Sequence, residues 1–436
     1  MRRKRMIRVA SAILVLGLAW LAWRYRPIHV DIAMDGPTAE WLDYGNDRGG
    51  TRYSPLTQVD RDNVQYLQVA WEYHTGDVAD GSGDEVNSPT AFEATPILVR
   101  GTLYVPTPFN RIVALDPETG AERWVYDPEI DLTGSYANQL VCRGVTYWED
   151  TADGTGRLLM GTNDGRLIAV DAQTGTPCAD FGEAGAVDLK SGSGEEMWLG
   201  EYQVTSPPAV AGDVVIVGSA VGDDAPSGVV RAYDVRTGEL VWAWDLRPPD
   251  YKPPEEMLSG DGYMLGTPNV WAPMAVDEDR RLVFIPTGNP SPDYYGGDRH
   301  GADHYGSSVV ALNAETGEVV WHFQTVHHDL WDYDVPAQPT LVDIEYEGQT
   351  IPGLVQATKM GFLFCLNRET GEPIYGVEER PVPQSSVPGE QTSPTQPFPL
   401  KPPQLVPGHL QPEDGWGPLG IRAGVCDELL ASLHSE

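Results

Sequence analysis

The sequence predicts an all-β protein whose sheets repeat as the blades of a β-propeller, and three observations carry that prediction. The 47 glycines and 37 prolines, beside 13 tryptophans and 19 tyrosines, favour short strands and tight turns over helices. Five stretches share the pattern x-Φ-[DN]-x-x-T-G: ALDPETGAERW (114–124), AVDAQTGTPCA (169–179), AYDVRTGELVW (232–242), ALNAETGEVVW (311–321) and CLNRETGEPIY (365–375). Before each stands a strand-like run, GTLYVPT, GRLLMGT, DVVIVGS, RLVFIPT or GLVQATK, so the unit reads strand, turn, strand, T-G turn, strand. Such a unit cannot cover its own apolar faces and must stack on its neighbours. Insertions recur at the same place in the unit, which a radial stack would gather on one face around the axis and a sandwich would not.

Taken from the N-terminus, the chain opens with MRRKR and Arg8, then an apolar run over residues 9–23, then Arg24 and Arg26. The heavier positive charge precedes the run, which predicts a cytoplasmic N-terminus and everything after about residue 27 on the far side of a membrane. No A-x-A closes the run, so residues 1–27 read as a retained single-pass anchor helix rather than a cleaved signal. AWEYHTGD (70–77) resembles a degenerate first unit ahead of the five clear ones. Propeller blades are thus expected over 28–378. From 379 to 436 the T-G pattern stops, giving a proline-rich insertion and a short tail ending DELLASLHSE.

A formal charge of -35 disfavours nucleic acid and anionic lipid as partners, since both reward Lys and Arg. Cys142, Cys178, Cys365 and Cys426 form neither C-x-x-C nor C-x-x-C-H, so neither a zinc knuckle nor an attached c-type haem is indicated. No G-x-G-x-x-G follows a strand, which argues against nicotinamide or flavin bound in the Rossmann manner. The densest chemistry is HHDLWDYD (327–334). His327 and His328 are adjacent and so diverge along an extended chain, which argues against a shared transition metal.

Taken in order, YGNDRGGTRYSPL, FEATPILVRGTLYVPT, the T-G units, PTGNPSPD, HHDLWDYDVPAQPT and GEQTSPTQPFP resemble the pyrroloquinoline-quinone (PQQ)-dependent dehydrogenases. The likeness runs from about Trp41 onward and is strongest to the membrane-bound branch acting on glucose and related sugars or polyols. It implies an eight-bladed propeller of the quinoprotein alcohol dehydrogenase type, here incomplete at about six blades. A fragment, a split gene, a damaged gene or a separate chain completing the ring would each account for the shortfall.

The resemblance also implies a site. Oxidising an alcohol needs a base and a hydride acceptor, and no side chain accepts hydride. Asp332 matches the family's catalytic base, with Asp329 and Asp334 expected to hold the turn. Asp223, Asn289 and Asp332 match ligands of a calcium (or magnesium) ion, with Asp224 competing for the first place. Glu93, Arg111, Arg143, Thr205, Ser219, Trp271 and Lys359 match residues around PQQ: Arg111 and Lys359 for its charge, Trp271 for its plane, the others for its edge. Where methanol-type relatives carry adjacent cysteines, Cys142 follows Val141, and Gln139 stands where some sugar-oxidising relatives use a histidine. The implied protein sits in the inner membrane facing the periplasm, oxidises a sugar or alcohol, and passes electrons to ubiquinone. The alternative from another class is a non-catalytic envelope scaffold or inactive remnant, which would need the T-G turns but not these side chains together.

Overall fold

The computed structural model describes residues 36–83, 86–222, 226–299, 301–406, 408 and 428–429. The anchor expected over residues 1–27, the metal ligand expected at Asp223, its competitor Asp224, Cys426 and most of the tail lie outside them. Among the described residues no helix is long and apolar enough to cross a membrane. The chain divides into two compact units. In the smaller, the described residues 36–39 and 54–72 hold one 3-10 turn, Val64–Tyr66, and no strand, with the Asp60 carboxylate accepting the N–H groups of Asp62 and Asn63 just before that turn.

The larger unit holds the sheets. Its five larger sheets are antiparallel, each pairing its strands in chain order. The first contains β1 (Ile97–Val99), β2 (Thr102–Pro106), β3 (Ile112–Leu115) and β4 (Glu122–Tyr126). The second contains β5 (Thr146–Glu149), β6 (Gly156–Gly161), β7 (Arg166–Asp171) and β8 (Ala186–Asp188). The third contains β9 (Ala209–Ala211), β10 (Val214–Val217), β11 (Val230–Asp234) and β12 (Leu240–Trp244). The fourth contains β13 (Ala275–Asp277), β14 (Leu282–Pro286), β15 (Ser308–Asn313) and β16 (Val319–Gln324). The fifth has three strands, β17 (Thr340–Tyr346), β18 (Gln349–Ala357) and β19 (Leu363–Asn367).

The T-G motif makes the turn after the third strand of each sheet. In the first, the Asp116 carboxylate accepts the N–H groups of Glu118 and Thr119, Gly120 N–H returns to the Asp116 carbonyl at 2.8 Å, and Gly120 takes the positive φ that closes the turn. The closing tryptophan then locks one sheet to the next. Trp242 lies on Gly317, where a Cβ would come within 2.6 Å of the ring, and donates its indole N–H to the Ala314 carbonyl at 3.0 Å. Trp321 does the same on Gly371 and the Arg368 carbonyl. The second motif ends in Ala179, and there a backbone bond, Gly182 N–H to the Thr237 carbonyl at 2.8 Å, takes the place of the ring.

Four apolar cores lie between successive sheets, as the stacking argument requires. Segment 40–53 ties first strands together: Trp41 pairs with Leu98 of β1, the Arg48 carbonyl accepts Val276 N–H of β13, and the Gly49 carbonyl accepts Leu341 N–H of β17. One expectation changes and one detail is added. Residues 70–77 form no strand, so that stretch is not a sheet of its own. Within the proline-rich insertion, β20 (Val377–Pro381) and β21 (Thr395–Pro399) pair as a hairpin. Proline is tolerated there because each strand of a two-stranded ribbon keeps a free edge.

Candidate active site

In an antiparallel sheet of this order, the connection entering the first strand and the one between second and third strands leave at one end, with the T-G turns at the other. The expected site residues lie on or beside the first kind of end. Two short ladders add to it, Thr90–Ala91 with Leu140–Val141 and Tyr202–Gln203 with Ala220–Val221.

HHDLWDYD leaves β16 and is folded back on itself by Asp329. That buried carboxylate accepts the Ser307 hydroxyl and Tyr333 N–H at 2.7 Å each, and Trp331 N–H at 2.9 Å. Asp332 takes φ 58, a conformation aspartate tolerates better than most residues. Its carboxylate lines a cavity of about 300 Å³ together with Arg143, Thr205, Trp271, Asn289 and Lys359, so six expected residues meet in one place. Burial, then the neighbouring Asp334 charge, push the Asp332 carboxyl up to about 6, against the pull of Lys359. Burial disfavours the Lys359 ammonium, but Asp334 and Asp332 more than offset it and its pKa is raised.

Asp334, expected only to hold the turn, connects the site. One oxygen accepts Asn289 N–H at 2.6 Å; the other accepts the Trp271 indole N–H at 3.2 Å and Lys359 Nζ at 3.1 Å. Lys359 Nζ also donates to the Asp332 carbonyl at 2.7 Å. Arg143 donates to the Thr205 hydroxyl at 2.8 Å and holds its guanidinium carbon 5.3 Å from the centre of the Trp271 ring.

The lining suits the groups the resemblance implies. Asn289 is 3% exposed; its amide N–H₂ donates to the carbonyls of Asp293 and Asp329, leaving Oδ1 buried without a partner. Asn269 Oδ1, on the same cavity, is likewise unpartnered. Two amide oxygens beside the Asp332 carboxylate form a hard, all-oxygen set of the kind calcium or magnesium takes. An indole face flanked by Arg143 and Lys359 suits a flat, anionic ring system.

Three expected residues do not line the cavity. Arg111 is turned to Asp77, with which it forms an ion pair, and to the Thr75 carbonyl. Glu93 stands behind Arg143, as its ion-pair partner at 3.1 Å. Ser219 is buried just before the lining residue Ala220. Asn138 lines the wall rather than Gln139, and Val141 rather than Cys142, whose buried thiol is pushed up to about 11. His327 and His328 diverge, the first to Gln324 and Glu379, the second to Asp303 and Glu390.

Residues 41–436 match the family model described as "PQQ: Glucose/ethanol/alcohol dehydrogenase, beta-propeller domain". The chain belongs to this family. It is 40% identical over 420 residues to the quinate/shikimate dehydrogenase (quinone) of Acinetobacter baylyi, covering 90% of this chain and 50% of that protein. It is 43% identical over 390 residues to the glycerol dehydrogenase large subunit of Gluconobacter thailandicus, covering 87% and 52%. Among solved structures, the quinohemoprotein alcohol dehydrogenase of Comamonas testosteroni superposes with a TM-score of 0.65 at 30% identity, over 85% of this chain and 54% of that one. The chain thus spans about half the length of the curated relatives it matches. Asp334 was not expected in the site because its partners are distant in the chain, and Asn269 because no local motif marks it; the one sequence signal was the second aspartate of LWDYD.

Proposed function

We propose that this chain carries the cofactor-binding part of a PQQ-dependent dehydrogenase that oxidises a sugar, polyol or alcohol hydroxyl to a carbonyl. The observation that carries the reading is the cavity in which the Asp332 carboxyl, pushed up to about 6, meets Lys359, Arg143, Trp271 and two unpartnered amide oxygens. PQQ, when bound, supplies the hydride acceptor. Asp332 takes the substrate hydroxyl proton as a base that a bound divalent cation would keep ionised. Lys359 offers positive charge on the cavity wall, and Asp334 fixes where that charge stands. Trp271 and Arg143 bind and orient the ring system, while Asn289 Oδ1, with Asp332 and Asp223, holds the divalent cation.

Around this site the reading extends to an eight-bladed ring, an inner-membrane anchor with the propeller in the periplasm, and ubiquinone as electron acceptor, on the resemblance to the membrane-bound branch. Titrating the metal-free chain with PQQ, with and without calcium, and following tryptophan fluorescence tests the core of it. Saturable, calcium-dependent binding weakened by Asn289→Ala is the expected result. Binding indifferent to calcium and to Asn289→Ala removes the metal from the site, and no PQQ binding in either condition favours the scaffold.

A further inference from the structure

A second cavity, of about 330 Å³, shares a wall with the candidate active site: Arg143 lines both. Segment 40–53 contributes Tyr44 and Arg52 to it, and β18 and β19 contribute Val355, Ala357 and Leu363. In a chain with a formal charge of -35, this cavity carries two arginines and no carboxylate in its lining. The Arg143 guanidinium has Glu93 and Thr205 as partners. Arg52 has only a long bond from Nη1 to the Gly50 carbonyl, 3.4 Å, and the Tyr44 ring, 5.2 Å from its guanidinium carbon to the ring centre. Among the described residues it has no carboxylate partner.

Glu93 offsets the Arg143 charge, while Arg52, an exposed residue, has no counter-ion among the described residues, so the pair keeps a net positive charge, and a guanidinium's planar fork matches a carboxylate better than a spherical ion. The apolar wall of Val355, Ala357 and Leu363 suits a carbon skeleton behind that carboxylate. The volume, about 330 Å³, is far above the about 10–15 Å³ that a single water needs.

We propose that Arg52, with Arg143, holds an organic carboxylate in this cavity. The group can come from two sources: a carboxylate of the cofactor reaching past Arg143, or a free small organic acid. Only the first source rests on the function proposed above.

Malonate binding to the full, PQQ-free chain by calorimetry tests the cavity by itself. Saturable binding is expected, weakened about tenfold or more in Arg52→Gln, as the loss of a charge-assisted pair predicts. Arg52→Lys, which keeps the charge and provides a check on folding, should retain part of it. PQQ titrations then separate the sources. If PQQ expels malonate and Arg52→Gln weakens PQQ as well, the carboxylate is the cofactor's; if both bind together and Arg52→Gln spares PQQ, it is a free acid's. The proposal is overturned if neither ligand loses affinity in a folded Arg52→Gln protein, or if the wild type binds neither. A wild type that binds malonate but not PQQ, with malonate weakened in Arg52→Gln, would instead sink the cofactor reading and leave this site standing.

Discussion

Replacing Asp334 with alanine removes three hydrogen bonds at once from a side chain that is 11% exposed. The loss at Asn289 should dominate, because that residue is 3% exposed and its N–H is the most buried of the three donors. Leaving one buried donor unmade costs about 1–3 kcal/mol. The Trp271 indole N–H and Lys359 Nζ lose partners at a cavity wall where water can substitute, and Lys359 keeps the Asp332 carbonyl, so they add less. The expected total is about 2–4 kcal/mol. Asp334→Asn keeps an oxygen for Asn289 but sets an amide N–H₂ where the other oxygen accepted Trp271 and Lys359 at the cavity wall, so it should cost about 1–2 kcal/mol, less than alanine. Urea unfolding near neutral pH, followed by tryptophan fluorescence, measures both. An alanine variant within about 0.5 kcal/mol of wild type, or an asparagine variant as damaged as the alanine one, would refute the argument. Removing the Asp334 charge should also lower the Asp332 pKa below about 6, since a like charge is lost.

Three further outcomes are expected. In a chain completed to full length, Asp332→Asn should still bind PQQ while turnover falls about 10²–10⁴-fold; normal turnover would send the search for the base elsewhere. Gly317→Ala puts a Cβ 2.6 Å from the Trp242 ring at a φ of 72, and should cost about 2–4 kcal/mol in chemical unfolding; Gly212→Ala, whose Cβ would meet nothing within 4 Å at a comparable positive φ, should cost less and isolates the packing from the strain. His328 has its pKa raised by Asp303 first and, against the effect of burial, by Glu390. The folded state therefore holds this proton more tightly than the unfolded one, so the stability it contributes is complete below about pH 6.5 and is lost as pH rises through the raised folded value. His328→Gln should flatten that decline, and an unchanged profile would show that the cluster does not set it.

Much was decided locally. An Asx turn needs only an aspartate or asparagine, two residues and a T-G pair, all within five positions, so the T-G motif located its turn in every sheet without reference to the rest of the chain. The spacing of those motifs and the apolar runs before them then gave the sheets. Asp332, Lys359, Trp271, Asn289, Arg143 and Thr205 were legible through motif resemblance, and they do share a cavity.

Tertiary structure decided what depends on partners far along the chain. Arg111 carries a charge suited to an anionic ring, but Asp77 claims it. Asp334 looked like one more turn residue until the fold brought Trp271 and Asn289 to it across 63 and 45 positions. The proline-rich composition of the insertion did not mark a strand pair, and the pairing of 377–381 with 395–399 is settled by the fold, a two-stranded ribbon having edges enough to accept proline. Periodicity and turn chemistry are properties of neighbours in sequence, which the chain states by itself. Which carboxylate pairs with which cation depends on distances that exist only once separate sheets have packed, because the electrostatic and hydrogen-bond energies that settle the choice act over a few ångströms of space and not along the chain.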